Sequence, residues 1–199
     1  SEMEEGKYLT TKRPSALADD HVFPTDWLPA AKAIHRIAGH KNVSPTLQNA
    51  AIEYHDEVSF LIGTDGHCAI VAELPPVEGL SGEAFVSANS LALWIKTKGM
   101  AADVLEWTEP AFPDVRAPFP GSRTSQDEED VGLNIALVHR VMTAIRDVRV
   151  TGPKSMGEIQ ASAWRVSTKF DPIHLRAEGR TLNGSEILLQ VLIVPMRLS

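Results

Sequence analysis

Residues 186–199, EILLQVLIVPMRLS, decide the reading of this chain. Positions 187–194 form a nearly unbroken apolar run, rich in β-branched residues and too short to span a membrane. It reads as a strand buried on both faces. Pro195 has no N–H to donate and ends the ladder. Met196, Arg197 and Leu198 then place a soft apolar side chain, a cation and a second apolar side chain beside the carboxyl end. A terminus frays unless it is tied down, and this one is tied down by the strand before it. Either it closes a core, or it presents a small apolar lip with one positive charge beside it.

Composition sets the outer limits. A chain of 199 residues with 43% apolar and 23% charged residues can bury a real core, in one large domain or two small ones. The net charge of −7 argues against a surface coated with nucleic acid and leaves room for a local basic patch. Cys68 is the single cysteine, which excludes an internal disulfide framework and fits a reducing compartment. The acidic start lacks the apolar segment of a secretory signal, and no run reaches transmembrane length. The expectation is a soluble cytoplasmic protein with no membrane partner.

Residues 1–20 mix acids with Lys7, Lys12, Arg13 and Pro14 and predict a mobile tail. Residues 21–23 are a short strand candidate, stopped by Pro24. Thr25 or Asp26 can cap the following helix, with Pro29 in its first turn and His40 and Lys41 closing it. Leu28, Ala31, Ile34, Ile37 and Ala38 recur at helical spacing and make its buried stripe. Residues 47–54, 58–63 and 69–74 read as strands. A second module opens with a strand over 83–87 and a helix capped by Asn89. Leu91, Trp94 and Ile95 are its apolar face, Gly99 stops it, and 104–108 is the next strand. A Pro-rich connection follows, then the acidic stretch GSRTSQDEED.

The third module carries a helix with Leu137, Val141, Ile145 and Val148 on one face, a loop over 152–157, and strands over 158–168, 173–178 and 186–194. The last two are joined across Asn183-Gly184. The expected organisation is a tail (1–20), a domain of two modules with the second one short (21–120), a linker (121–130) and a third module (131–199). The fold class is α+β, with a strand–helix–strands pattern that recurs.

Three segments carry a resemblance. Thr64-Asp65-Gly66-His67, then Phe112-Pro113-Asp114-Val115-Arg116 with Pro118 and Pro120, and the ending Val194-Pro195-Met196-Arg197-Leu198 follow one another in the chain. They are similar to the TDGH, FPDYR…P and VPMRL segments of the bacterial DNA polymerase III β subunit, the DNA sliding clamp. The resemblance covers residues 21–199. It implies a sliding-clamp-like fold of repeated βαβββ modules with helices on one face of antiparallel sheets. It also implies a non-catalytic processivity factor without a cofactor. The implied assembly is a homo-oligomer around double-stranded DNA bound without sequence preference, and the implied partner is a polymerase or another protein with a clamp-binding motif.

Carried over residue by residue, the family's peptide groove is Thr64, Gly66, His67, Pro120, Val194, Pro195, Met196 and Arg197. Methionine adapts to varied ligands, and a concave apolar pocket with a few polar groups suits a linear motif. This chain departs from the pattern after TDGH, where Cys68-Ala69 stand in place of Arg-Leu. Losing the cation and shrinking the apolar residue widen the pocket and change its preference. Read alone, Asp65-Gly66 is a plain β-turn.

Charge gives a second argument. The three helices carry Lys32, Arg36, Lys96, Lys98, Arg140 and Arg146 on solvent-side positions of an acidic protein. Cations set against phosphates, without base contacts, are what tracking a duplex requires. Lysine and arginine are also ordinary residues of helix surfaces and C-terminal turns.

Enzyme readings find little support. No Cys or His cluster has metal spacing, and neither a phosphate loop nor a nucleophile elbow is present. His67 and Cys68 are adjacent, so their side chains diverge. Trp27, Trp94, Trp107 and Trp164 are scattered, as core residues are. The alternative to a processivity factor is a clamp-fold interaction module that binds or competes for replication proteins without forming a ring. Length is the main objection to the ring, since fewer modules are present than a clamp subunit has and more copies would be needed to close it.

Overall fold

The computed structural model describes residues 11–39, 44–109, 112–115, 134–149, 163–165 and 173–194. Among the described residues, seven strands make one antiparallel sheet: β1 (Asn49–Tyr54), β2 (Ser59–Thr64), β3 (Cys68–Leu74), β4 (Gly82–Ser87), β5 (Ala163–Arg165), β6 (Ile173–Arg180) and β7 (Glu186–Ile193). Their order is β4-β1-β2-β3-β7-β6-β5. Helices α1 (Leu28–Ala38), α2 (Ala88–Lys96) and α3 (Ile135–Arg149) cover one face. α1 lies over β2 and β3, α3 lies over β6 and β7, and α1 contacts both other helices.

Six of the strands fall into matching halves. α1-β1-β2-β3 and α3-β5-β6-β7 meet where β3 pairs with β7, Cys68 opposite Ile193 and Glu73 opposite Leu188. Along β7 the side chains alternate. Ile187, Leu189, Val191 and Ile193 enter the core beneath the helices. Leu192 points the other way and joins Ala51, Phe60, Ile62, Ala69, Val71 and Phe85 in a second apolar layer, which Phe112 and Val115 complete. The run 187–194 is apolar apart from Gln190 because both faces of the sheet are covered here.

The α+β architecture and the helix layer agree with the sequence-based expectation. Several elements differ. Residues 21–23 are not a strand: the Val22 carbonyl accepts a hydrogen bond from the Tyr54 hydroxyl at 2.7 Å, and Phe23 is buried edge-on against Trp27 and Trp94. Thr25–Trp27 forms a short 3-10 turn, and α1 begins at Leu28 without a side-chain cap from Thr25 or Asp26. It ends at Ala38; His40 and Lys41, expected to close it, lie outside the described residues. The cap of α2 is Ser87, whose hydroxyl accepts from the Ser90 amide, and Asn89 already sits inside the helix. The expected strand over 104–108 is a 3-10 turn at Ala102–Val104 followed by a single bridge between Trp107 and Val86.

The described part of the expected tail, residues 11–20, lies along the outer edge of β4. The Ala18 amide donates to the Glu83 carbonyl at 2.9 Å, the Glu83 amide donates to the Ala16 carbonyl at 3.0 Å, and Arg13 pairs with the Glu83 carboxylate at 2.7 Å. Polar composition suggested disorder, yet main-chain pairing with an edge strand needs little from side chains. The connection from β6 to β7 is 181–185, longer than a tight two-residue turn, and is closed by the Thr181 amide on the Ser185 carbonyl. The linker 121–130 and the loop 152–157 lie outside the described residues; of the strand expected over 158–168, Ala163–Arg165 is described. Among the described residues, no helix is long and apolar enough to cross a membrane.

Candidate functional site

The turn between β2 and β3 is held from inside. Gly66 has φ +86°, the left-handed region that favours glycine. The Thr64 hydroxyl donates to the Cys68 carbonyl at 2.8 Å and accepts from the Gly66 amide at 3.1 Å. Asp65 Oδ1 accepts from the amides of His67 (2.9 Å) and Cys68 (2.7 Å), an Asx-type turn. Asp65 Oδ2 receives Nη2 of Arg140, from α3, at 2.9 Å. The His67 carbonyl accepts from the Val194 amide at 3.0 Å, which fastens the end of β7 to the same turn.

A cavity of about 190 Å³ opens beside this turn on the outer face of the sheet. Thr64, Gly66, His67, Cys68 and Ala69 make one wall; Pro113, Asp114 and Val115 make another; Leu192 and Val194 come from β7. The interior is apolar, with Ala69, Val115 and Leu192 all buried, while His67, Pro113, Asp114 and Val194 are exposed around it. An apolar cavity of about 150 Å³ already holds a benzene ring. This one therefore has room for a single large apolar or aromatic side chain. Of the residues expected in the groove, Thr64, Gly66, His67 and Val194 are brought together; Pro120, Pro195, Met196 and Arg197 lie outside the described residues.

Cys68 borders this cavity without sending its side chain into it. Its side chain belongs to the core beneath the helices, and burial, then the nearby Asp65 charge, push its thiol far above the usual range, with Arg140 pulling the other way. A buried thiol of this kind reacts slowly, when local opening exposes it.

The six cations expected to face DNA divide in two. Lys32, Lys96, Lys98 and Arg146 are exposed on or beside the helices. Arg36 is exposed but makes an ion pair with Asp147 across the α1–α3 contact, through its Nε and Nη2. Arg140 turns to Asp65, and one of its guanidinium nitrogens is buried without a partner. Among the described residues, no group of three or more His, Cys, Asp or Glu side chains is placed to hold a metal ion.

No protein-family model matches the sequence, and no curated protein matches it. Solved structures do match. The Helicobacter pylori β clamp, in complex with 5-chloroisatin, superposes with a TM-score of 0.61 at 11% identity, over 94% of this chain and 68% of that one. The C. crescentus β sliding clamp gives 0.58 at 13% identity, over 92% and 65%. This chain has the sliding-clamp fold. The DNA polymerase III β subunit of Thermotoga maritima gives 0.53 at 11% identity, over 97% and 69%. The chain spans about two thirds of the length of these clamp structures.

Within this clamp fold, Leu192 lines the cavity without having been singled out by the sequence, whereas Ala69 and Val115 were noted only as members of the segments that carry the resemblance. Leu192 was recoverable, since it lies two residues before Val194 and period two puts both on one face of a strand. Phe112 and Val115 also carried a signal, as the large apolar residues of a Pro-rich segment. The Asp65–Arg140 pair joins positions far apart in the chain and leaves no local pattern.

Proposed function

We propose that the chain is a non-catalytic processivity factor of the clamp type. Several copies close around duplex DNA with the helix layer inward, and the cavity beside Gly66 and His67 holds a short apolar segment of a polymerase or repair protein. The observation that carries this reading is the meeting of the 64–69, 113–115 and 192–194 segments at one apolar cavity within a clamp fold. Lys32, Lys96, Lys98 and Arg146 support the DNA side, because exposed cations on one layer gain affinity for phosphates without base contacts.

The partner states support a second reading. Arg36 and Arg140 are engaged by carboxylates, so the helix layer offers fewer cations than the sequence suggests, while the cavity is unaffected. On this reading the chain is a clamp-fold module that binds or competes for replication proteins without encircling DNA.

Light scattering on a sizing column, at several concentrations and low salt, separates the two. A closed assembly larger than a dimer, retained on circular DNA and lost from linear DNA, is the result expected of the ring. A persistent monomer that still binds an apolar peptide leaves only the second reading.

A further inference from the structure

Arg140 is on α3, in the layer proposed to face DNA, yet its charged end is committed to the opposite task. We infer that Arg140 is a positioning residue of the peptide cavity: through Asp65 it holds the 64–68 turn in the shape that walls the cavity. This deepens the peptide-binding reading of the cavity and rests on it.

The chain of contacts is short and continuous. Arg140 Nη2 meets Asp65 Oδ2 at 2.9 Å. The other oxygen of the same carboxylate fixes the amides of His67 and Cys68. The His67 carbonyl then fixes Val194, so the turn and the end of β7 share one support. The Asp65 side chain is 3% exposed and that of Arg140 is 26% exposed. An ionised carboxylate that far from water requires an opposite charge, and α3 supplies it. Position 68 holds cysteine, with its side chain in the core beneath the helices, and the 64–68 turn contains no lysine or arginine. Without Arg140, the buried Asp65 carboxylate loses its opposite charge and is drawn toward water, which weakens its acceptor role toward the two amides.

Cys68 makes a built-in reporter, being the single cysteine of the chain and buried at the end of this turn. The test is the rate of Cys68 labelling by DTNB under native conditions in the full chain. Arg140→Met is expected to label at least about tenfold faster than the parent, the scale of one hydrogen bond to a charged group. Arg140→Lys, which keeps a cation for the single contact to Oδ2, is expected to return most of the protection. Arg36→Met removes a second ion pair between α3 and its surroundings and is expected to label like the parent.

Equal labelling of the parent and Arg140→Met overturns the inference. So does equal acceleration in Arg36→Met, because the effect would then be general loosening of α3. Protection of Cys68 in the parent by the blocked peptide acetyl-Gly-Leu-Phe-Gly-amide is read separately. Its absence counts against the peptide-binding reading, while the labelling rates without peptide still decide the role of Arg140.

Discussion

Gly63 of β2 and Gly179 of β6 hold matching places in the two halves of the sheet, each under the last turn of its own half's helix. A Cβ on Gly63 would meet Ile34 Cγ2 at 2.8 Å and the Ala38 Cβ at 3.3 Å; a Cβ on Gly179 would meet the Val148 carbonyl oxygen at 2.5 Å. The helices thus press onto bare strand backbone at corresponding points. Ala30, Ala31, Ala33 and Ala38 keep α1 slim enough to do so, and all four are fully buried.

Both glycines are therefore expected to resist enlargement. Gly63→Ala should destabilise by about 1–3 kcal/mol, the usual scale of overpacking. Gly179→Ala should lose more, because the obstacle there is helix backbone and not a side chain that can rotate. Urea midpoints of the two variants measure this. Unchanged midpoints would refute the close approach.

A pH effect follows from His35. Its ring is half-buried on α1, close enough to Gly39 that a Cβ there would lie 2.5 Å from Nε2. Burial first, and then the Arg36 charge, hold its pKa below 6.5. The unfolded imidazole titrates near 6.5, so below that pH the unfolded chain binds a proton that the folded chain refuses. Stability is full above this value and falls as the pH drops toward the folded pKa. The urea midpoint of the parent should decline between about pH 7 and pH 5 more steeply than that of His35→Gln. Parallel profiles would remove His35 as the cause.

The edge of β4 offers a third check. Gly82 has φ +107°, and a Cβ there would meet the Ala18 amide nitrogen at 2.8 Å. Gly82→Ala combines backbone strain with a clash, so it should lift residues 16–18 from the strand. Hydrogen exchange at the Ala18 and Glu83 amides, which are paired across this edge, should accelerate together. Unchanged protection would mean that the segment is held elsewhere.

The sequence made some of this fold legible and left other parts hidden for physical reasons. The nearly unbroken apolar run of β7 and the stripe of Leu137, Val141, Ile145 and Val148 on α3 are burial patterns, and all four stripe residues are buried. The alanines of α1 carry almost no hydrophobic signal, yet they set how closely helix and sheet approach. Residues 16–18 pair through main chain, which composition does not report. For the cavity, periodicity could place Thr64, Val115 and Val194 only in their own segments; resemblance alone suggested that those segments meet. Helical spacing put Arg140 among the outward cations, but a long side chain ends well away from its own Cα, and its partner Asp65 comes from another part of the chain.

If the helix layer follows DNA, the four exposed cations should carry more of the affinity than Arg36. Lys32→Glu combined with Arg146→Glu should weaken retention on duplex DNA and flatten its salt dependence by roughly 0.9 logarithmic units per lost phosphate contact. Arg36→Met should change both less, because Asp147 already engages that charge. A salt slope indifferent to Lys32 and Arg146 would take DNA off this face.

Ala69→Leu distinguishes a ligand site from a packing defect, because the two make opposite forecasts. Ala69 sits opposite Leu192 across the β3–β7 pair, and both face the cavity. The larger side chain has empty apolar space to enter, so the folded state should gain on the order of 0.5–2 kcal/mol, the usual return from filling a cavity. The same atoms occupy the room left for a ligand's apolar side chain. An apolar peptide should then bind at least about tenfold more weakly, a difference of about 1.4 kcal/mol. Stability rising while peptide affinity falls places the ligand in this cavity. A rise in stability with unchanged affinity would mean that the peptide binds elsewhere and that the space beside Ala69 is only an imperfection in the second apolar layer.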